Sequence, residues 1–295
     1  MSSKPETVSL VLGSGGARGH AHVGVIHAIE ERGLTIRNIA GSSMGSVIGG
    51  IYAADELETY CEWAENLSQR DVLRLLDFSF TWTSIFKGER IFDVLKDLIG
   101  DRQIEDLDRG FTAVATAIDE QREVWMNKGS LFTAIRASTA VPGVFAPVYV
   151  DGRTLVDGGL INPIPIAPTL NDRTDITIAV NLNAISDKWE SAQHEAPEEP
   201  REEESKYATA ISNFLDSLLP AGNKEQKPPD AADLLTKSLD VMQGAIARLK
   251  LAAYSPDVTV DVPRDACTFF DFHRATEMRE IGYEQTVAAL DQYLD

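Results

Sequence analysis

Short apolar runs alternate with segments of helical periodicity along most of the chain, beginning with the run from Val8 to Leu12. A glycine-rich stretch, Gly13 to Gly19, follows that run, and apolar residues then recur at helical spacing up to Gly33. The plan repeats where Ile36 to Ala40 leads into a glycine–serine turn and an apolar helical stretch ending near Ala54. Two consecutive strand–turn–helix units predict a parallel sheet.

The rest of the chain carries further runs of both kinds. We predict further strands at Phe111–Ile118, Glu123–Met126, Val148–Val150, Thr154–Val156, Ile176–Leu182 and Val258–Val262. We predict further helices at Leu57–Leu76, Ile91–Ile99, Leu131–Ser138, Ala208–Leu219, Ala231–Ala253 and Thr276–Leu294. This order favours one α/β domain over residues 1–295, with three α/β/α layers and a mostly parallel central sheet covered on both faces.

Two segments interrupt the pattern. Between Ser186 and Ser205, eight acidic residues stand against two basic ones, which predicts a solvated, mobile insertion at about 186–205. Residues 220–229 contain three prolines and no large apolar side chain, which predicts a proline-rich loop.

Composition and charge exclude several partners. The chain has 295 residues and a formal net charge of -19, from 27 basic and 46 acidic side chains. Such a surface repels phosphate backbones, so we expect no nucleic-acid partner. Adsorption to an anionic membrane is disfavoured for the same reason, and any transient membrane contact would use an apolar patch.

The cysteines and the uncharged segments indicate a compartment. Cys61 and Cys267 fit neither a metal-ligand spacing nor a disulfide framework, which suggests a reducing environment. The run from Val8 to Leu12 is too brief for a secretory signal, and the uncharged stretch from Asn38 to Ala54 is too short and too polar to span a bilayer. We therefore expect a soluble, cytoplasmic protein with no metal site.

The sharpest chemical signal is Gly41-Ser-Ser-Met-Gly45, a G-x-S-x-G pattern between a predicted strand and a predicted helix. Glycines on both sides permit a cramped strand-to-helix turn that projects the Ser43 hydroxyl. Ser43 is therefore a candidate nucleophile. The pattern by itself is equally compatible with a tight turn that packs a helix closely.

The upstream loop Gly13 to Gly19 is a second signal, because its backbone N–H groups can converge on an anion such as the oxyanion of an acyl-transfer intermediate. A dinucleotide-binding fingerprint would need glycine or alanine where Arg18 stands. A phosphate-binding P-loop would need lysine and serine or threonine where His20 and Ala21 follow. We expect no nucleotide cofactor.

A third signal is Leu155-Val-Asp-Gly-Gly159, in which Asp157 ends an apolar strand before two glycines. The carboxylate is a candidate base, although an Asp-Gly turn without chemistry fits this short pattern better when it is taken alone. A Ser-Asp-His order would require His194 or His273. His194 lies in the acidic segment, and His273, beside three phenylalanines, is expected to be packed.

An aromatic-rich stretch lies between Leu75 and Phe92. Its aromatic members are Phe78, Phe80, Trp82, Phe86 and Phe92. They could line an acyl-chain channel or form a lid, but the alternation at 78, 80 and 82 slightly favours ordinary packing of a strand face.

Together these motifs resemble the patatin-like phospholipase family, closest to its bacterial free-standing domains. The resemblance covers about the first 185 residues. It lies in the opening from Gly13 to Gly24, the Gly41–Gly45 elbow, the segment Ala137-Ser-Thr-Ala-Val-Pro-Gly-Val-Phe-Ala-Pro147 and the segment Asp157-Gly-Gly-Leu-Ile-Asn-Pro163.

The resemblance implies a patatin-like fold and a serine hydrolase of lipid acyl esters that works through a dyad, without a catalytic histidine, cofactor or calcium. By position, Ser43 is the nucleophile, Asp157 is the general base, and Gly41 and Gly45 form the nucleophile elbow. The implied oxyanion-hole amides are those of Gly15, Gly16, Ala17 and Arg18. An apolar setting would raise the pKa of Asp157 and strengthen it as a base.

Two other functions stay open at this point. A non-catalytic protein on the same fold would sense acyl lipids or a partner without turnover, and a conventional esterase would use His273 to complete a Ser-His-Asp triad. The long C-terminal helices would also allow a homodimer.

Overall fold

The computed structural model describes residues 5–75, 78–81, 84–86, 88–185 and 231–294. The main compact unit comprises residues 1–185 and 240–295. A second unit comprises residues 186–239, of which 231–239 are described and helical. The predicted acidic insertion at 186–205, the predicted helix Ala208–Leu219 and the predicted loop at 220–229 lie outside the described residues.

Strands and helices alternate along the main unit much as the hydrophobic pattern predicts. The strands are β1 (Thr7–Leu12), β2 (Thr35–Ser42), β3 (Phe78–Thr81), β4 (Ser84–Phe86), β5 (Gly110–Ala117), β6 (Arg122–Met126), β7 (Val148–Val150), β8 (Arg153–Asp157), β9 (Ile176–Ala184) and β10 (Val258–Pro263). The α-helices are α1 (Ala21–Glu31), α2 (Met44–Ala53), α3 (Leu57–Glu65), α4 (Gln69–Leu75), α5 (Glu89–Ile99), α6 (Leu131–Ser138), α7 (Ala231–Tyr254) and α8 (Ala275–Leu294).

The single helix predicted over Leu57–Leu76 is wrong, because the structure has two helices there, α3 and α4. The break is stabilised by Ser68 and Asp71 at the start of α4. The Asp71 N–H donates to the Ser68 hydroxyl, while the Asp71 carboxylate accepts the Ser68 N–H, at 3.3 and 3.2 Å. This reciprocal cap satisfies amides that a continuous helix would bond internally.

The central sheet has eight strands in the order β10-β9-β1-β2-β5-β8-β7, with β6 also paired to β5. The pairs from β10 through β5 are parallel, whereas β6, β7 and β8 pair antiparallel. Strands β3 and β4 form a separate antiparallel pair. The mostly parallel sheet predicted from the sequence is confirmed.

Alternate residues of the inner strands face opposite layers of helices. Leu10 of β1 and Val180 of β9 belong to the large core that includes residues of α1, α2 and α8. Val11 and Ala179 face the other side and pack with Ala247 of α7. The sheet is therefore buried on both faces, which confirms the three-layer α/β/α architecture.

Helices α1 and α8 approach each other closely through two glycines. A Cβ on Gly24 would overlap the carbonyl of Arg279, and a Cβ on Gly282 would overlap the carbonyl of Ala21. The face of α8 that carries Gly282 therefore packs against α1. Within the described ranges, no helix combines the length and the apolar character needed to cross a bilayer.

Candidate active site

The two candidate catalytic residues meet because two strands end head to head along one edge of β5. Strand β2 runs parallel to β5, and its last residue, Ser42, pairs with Val114. Strand β8 runs antiparallel to β5, and its last residue, Asp157, pairs with the next position, Ala115. Strand β6 occupies the other edge of β5 over these positions. Residues 43 and 157 are therefore brought together by strand register.

Ser43 lies in a strained turn between β2 and α2. Its φ of 55° and ψ of -125° place it in a region that residues with a side chain rarely adopt. The turn depends on the flanking glycines, because a Cβ on Gly41 would lie 2.5 Å from the Gly45 carbonyl oxygen and one on Gly45 would overlap the Leu12 carbonyl. A sharp strand-to-helix turn of this kind is the backbone geometry that a nucleophile elbow requires.

The Ser43 hydroxyl donates a hydrogen bond of 2.5 Å to Oδ2 of Asp157. Oδ1 of the same carboxylate accepts the Gly159 N–H at 2.6 Å. Both side chains are buried, with exposed fractions of 4% for Ser43 and 2% for Asp157. Burial raises the pKa of Asp157 from 3.8 to about 7, against the opposing effect of the two hydrogen bonds. The carboxyl group is therefore suited to exchange a proton near neutral pH.

Ser138 and Thr116 hold the backbone around this pair. The Ser138 hydroxyl accepts the Ser43 N–H at 3.0 Å and donates to the Val114 carbonyl at 2.6 Å. The Thr116 hydroxyl donates to the Asp157 carbonyl at 2.9 Å. The sequence around Ser138 does not indicate this role, because a lone serine at a helix end carries no sign of two buried partners.

Four amides of the glycine loop were predicted to bind an oxyanion, and the structure separates them. The Ala17 N–H donates to the Phe269 carbonyl at 3.0 Å. Arg18 lies in the short 3₁₀-helix Gly16–His20, where its N–H points back to the carbonyl of Gly15. Within the described part of the chain, the N–H groups of Gly15 and Gly16 make no hydrogen bond.

The loop borders both Ser43 and Asp157. At its start, a Cβ on Gly159 would overlap the Ser14 hydroxyl and lie 2.9 Å from the Asp157 carboxylate. At its end, a Cβ on Gly19 would overlap the side chain of Met44. Gly16 has a φ of 56° and lines the same cavity as Ser43. Gly16, one of the two residues with an unpaired amide, therefore borders the same cavity as the Ser43 hydroxyl.

An apolar cavity of about 110 Å³ opens beside Ser43. Apart from Ser43, its described polar lining comes from His20, Tyr60 and Thr139, and none of the described lining residues is Asp, Glu, Lys or Arg. The apolar lining includes side chains of α3, α5 and the segments around residues 144 and 270: Trp63, Leu98, Val144, Phe145, Phe269 and Phe270. Such a lining suits a hydrocarbon chain.

Part of the aromatic-rich stretch contributes to this cavity. Leu75 and Phe92 are among its lining residues. Trp82 lies outside the described residues, and the side chains of Phe78, Phe80 and Phe86 are not described.

Two histidines support the loop. Nε2 of His22 contacts the Gly13 carbonyl at 2.8 Å, and Nδ1 of His20 contacts the Tyr60 hydroxyl at 3.1 Å. Burial lowers the pKa of each imidazole to about 4, so both are neutral at neutral pH.

Two histidines, His194 and His273, are the candidates for a triad, and among the described residues no histidine bonds to the Asp157 carboxylate. His273 is exposed, so the expectation that it is packed is wrong, since the neighbouring phenylalanines turn inward without it. His194 lies outside the described residues. Among the described residues, the Asp157 carboxylate bonds only to Ser43 and Gly159.

One cluster away from the cavity has metal-ligating atoms. His27 of α1 and Glu58 and Cys61 of α3 place a ligand atom each within 4.8 Å of one another. His27 already contacts Glu58 at 3.0 Å, and burial raises the pKa of the Cys61 thiol to about 11. A metal there would first have to displace both the hydrogen bond and the thiol proton.

Comparisons with known proteins show which family the chain resembles. A family model described as patatin-like phospholipase matches residues 10–170. An NTE family protein of Mycobacterium tuberculosis is 39% identical over 99% of this chain and 93% of its own length. Patatin-like phospholipase domain-containing protein 6 of Homo sapiens is 30% identical over 94% of this chain and 20% of its own length.

More distant similarity extends to a fungal enzyme and to a solved structure. Lysophospholipase nte1 of Emericella nidulans is 35% identical over 61% of this chain and 12% of its own length. The crystal structure of VipD from Legionella pneumophila superimposes with a TM-score of 0.58 and 16% identity, covering 99% of this chain and 68% of that one. The latter similarity shows a shared fold.

Proposed function

The chain belongs to the patatin-like phospholipase family, and from this premise we propose that it hydrolyses acyl esters of lipids through a Ser43–Asp157 dyad and an acyl-enzyme intermediate. The observation that carries the proposal is the 2.5 Å hydrogen bond from the Ser43 hydroxyl to the buried Asp157 carboxylate, at the edge of an apolar cavity. A nucleophile in contact with its base, beside a site for a hydrocarbon chain, is the arrangement that ester cleavage requires.

Acylation begins when Oγ of Ser43 attacks the ester carbonyl carbon. The hydroxyl proton moves to Oδ2 of Asp157, and the carbonyl oxygen becomes an oxyanion. When the tetrahedral intermediate collapses, the bond to the leaving alcohol breaks and Asp157 returns the proton to the alcohol oxygen. The acyl group stays on Ser43, with its chain in the cavity.

Deacylation repeats these steps with water. Asp157 accepts a proton from a water molecule that attacks the acyl-enzyme carbonyl, and it then protonates Oγ of Ser43 as the fatty acid leaves. Both halves of the reaction need the carboxyl group in each protonation state. A pKa near 7 suits both halves, because the protonated and the ionised carboxyl group are then both well populated at neutral pH.

The oxyanion needs its own stabilisation, since a carboxylate is a weak base for a serine hydroxyl. We assign this role to the N–H groups of Gly15 and Gly16, which have no other partner in the described residues. Preorganised donors of this kind are typically worth 10²- to 10³-fold in kcat each. The Ala17 N–H is excluded from this set because it bonds to Phe269.

The cavity favours a substrate whose acyl chain enters and whose head group stays outside. The lining residues that the structure describes offer no charged side chain to a phosphate or an amine. Phospholipids and lysophospholipids both fit this description. Transient contact with a lipid surface through an apolar patch, a cytoplasmic location and a homodimer remain predictions.

Two measurements test the proposal. The first is labelling with a fluorophosphonate, which forms an adduct with activated serines. The second is turnover of phospholipid and lysophospholipid substrates. The matched control for Ser43→Ala is Ser42→Ala, because the Ser42 hydroxyl is buried one residue away and has no partner among the described residues. We expect S42A to be labelled and active, and S43A to be neither.

Other results would replace the proposal. Full turnover by S43A would exclude Ser43 as the nucleophile. Lipid binding without turnover by the unmodified protein would instead indicate a non-catalytic lipid-sensing role. Loss of activity in His273→Ala with normal stability would favour the triad esterase.

A further inference from the structure

We propose that Asn183 is a positioning residue for the oxyanion site, and that it acts by fixing the peptide plane that carries the Gly15 N–H. The inference rests on the proposed function, because it concerns the amides assigned there to the oxyanion. It adds a residue from β9, far from the sequence motifs.

Two engaged amides flank the two unpaired ones in the glycine loop. The Ser14 N–H donates to the Pro163 carbonyl at 2.7 Å, and the Ala17 N–H donates to the Phe269 carbonyl at 3.0 Å. The N–H groups of Gly15 and Gly16 lie between them without partners in the described chain. Two consecutive orphan donors in a buried loop are rare unless a ligand or water completes them.

Each unpaired amide belongs to a peptide whose carbonyl is held by a side chain. Nδ2 of Asn183 donates to the Ser14 carbonyl at 3.2 Å, and Nε of Arg18 donates to the Gly15 carbonyl at 3.1 Å. In a trans peptide the C=O and N–H bonds point in opposite directions. A side chain that holds the carbonyl therefore sets the direction of the following N–H.

Asn183 is itself well anchored. It is 5% exposed and lies on β9, whose Leu182 side chain packs against the Gly15 backbone. The pairing of β9 with β10 extends from Ile178 to Ala184 and holds the Asn183 backbone in the sheet. Without the Asn183 side chain, the Ser14–Gly15 peptide could rotate, because glycine at position 15 offers little resistance.

Arg18 holds the neighbouring peptide and is anchored from three sides. Besides the Gly15 carbonyl, its guanidinium donates to the Arg264 carbonyl and to the Asp240 carboxylate, both at 2.8 Å. The Arg18 side chain thus helps to hold the peptide that carries the Gly16 N–H. The ion pair with Asp240 also joins the loop to α7.

The direct test compares Asn183→Ala with Asn181→Ala in steady-state kinetics on a lysophospholipid. The two asparagines are two residues apart on one face of β9 and have exposed fractions of 5% and 6%. Among the described residues, Asn181 bonds to Asp261 and to the Asn183 backbone but to no atom of the loop. We expect N183A to lose roughly 10- to 100-fold in kcat with KM nearly unchanged, because misplacing a catalytic group costs on this order.

A second readout separates positioning from general damage. A long-chain trifluoromethyl ketone forms a tetrahedral adduct that places an oxyanion in the same site. Its affinity should weaken by the same factor as kcat/KM in N183A, and stay nearly unchanged in N181A. Asp240→Asn removes the charge that Arg18 pairs with, and it should lower kcat and the affinity for the inhibitor by a smaller factor than N183A does. Asn183→Ser replaces N183A if the latter does not fold.

The outcomes are distinct. A kcat of N183A, or of N183S in its place, within about threefold of the unmodified protein would overturn the inference. Equal losses in N183A and N181A, accompanied by equal drops in melting temperature, would also overturn it. Full activity in S43A would overturn the proposed function itself, and this inference with it.

Discussion

Replacing Asp157 by asparagine should abolish turnover and, above pH 7, stabilise the fold. The amide has nearly the shape of the carboxyl group. Its oxygen can accept the Gly159 N–H, and its Nδ2 can donate to the Ser43 hydroxyl, so both contacts of the site have a counterpart. Turnover should fall by at least 10²-fold because the amide cannot accept the serine proton.

The magnitude of the stability change follows from the raised pKa. The unfolded chain releases the Asp157 proton near pH 3.8, whereas the folded chain keeps it until about pH 7. Between these values the folded state binds the extra proton, so the stability of the unmodified protein falls as pH rises. At 1.36 kcal/mol per pH unit, the full loss is about 4 kcal/mol. The asparagine variant does not lose this stability, because its side chain does not titrate.

The assay is urea unfolding of both proteins at a series of pH values from about 4 to about 9. The difference in the free energy of unfolding, variant minus unmodified protein, should be small near pH 4, increase up to about pH 7 and then stay level. All other titrating groups are shared and cancel in this difference. A difference that does not change with pH would refute the claim that burial raises the pKa of Asp157.

Three further predictions concern other parts of the structure. His273→Ala should leave kcat within about threefold of the unmodified value in the lysophospholipid assay, because this exposed side chain lies outside the dyad. Gly282→Ala should destabilise the protein by roughly 1–3 kcal/mol in urea unfolding, because its Cβ would overlap the Ala21 carbonyl; Gly244→Ala, with its nearest contact at 3.6 Å, is the matched control and should not be destabilising. Leu98→Trp, which fills part of the cavity, should lower kcat/KM for long-chain esters more than for short-chain esters, and equal effects on both would exclude the cavity as the acyl site.

Local chemistry made much of the fold predictable from the sequence. The eight strands of the central sheet were each predicted within a few residues, because every one is an apolar run bounded by turn residues. The G-x-S-x-G pattern predicts the tight turn at Ser43, because a side chain on either glycine would overlap neighbouring backbone atoms. The Ser68–Asp71 pair has the spacing of a reciprocal helix cap, but the apolar residues around it keep helical periodicity, which favours one continuous helix instead.

What the sequence could not give was the pairing of distant backbone groups. Nothing local indicates that β8 would run antiparallel against the same edge of β5 that β2 occupies. Likewise, the Phe269 carbonyl that engages the Ala17 N–H is about 250 residues away along the chain. A candidate list of oxyanion amides drawn from the loop alone therefore includes donors that tertiary contacts have already used.

The head-to-head ends of β2 and β8 have a consequence for how this site can change. Because residues of a strand alternate between faces, sliding either strand by one position would send its terminal side chain to the opposite side of the sheet. Register changes by whole residues, so small drifts in the surrounding loops do not change which residues of β2 and β8 meet on β5. On the proposed function, substitutions in the cavity wall could therefore change substrate preference while the contact between Ser43 and Asp157 is kept.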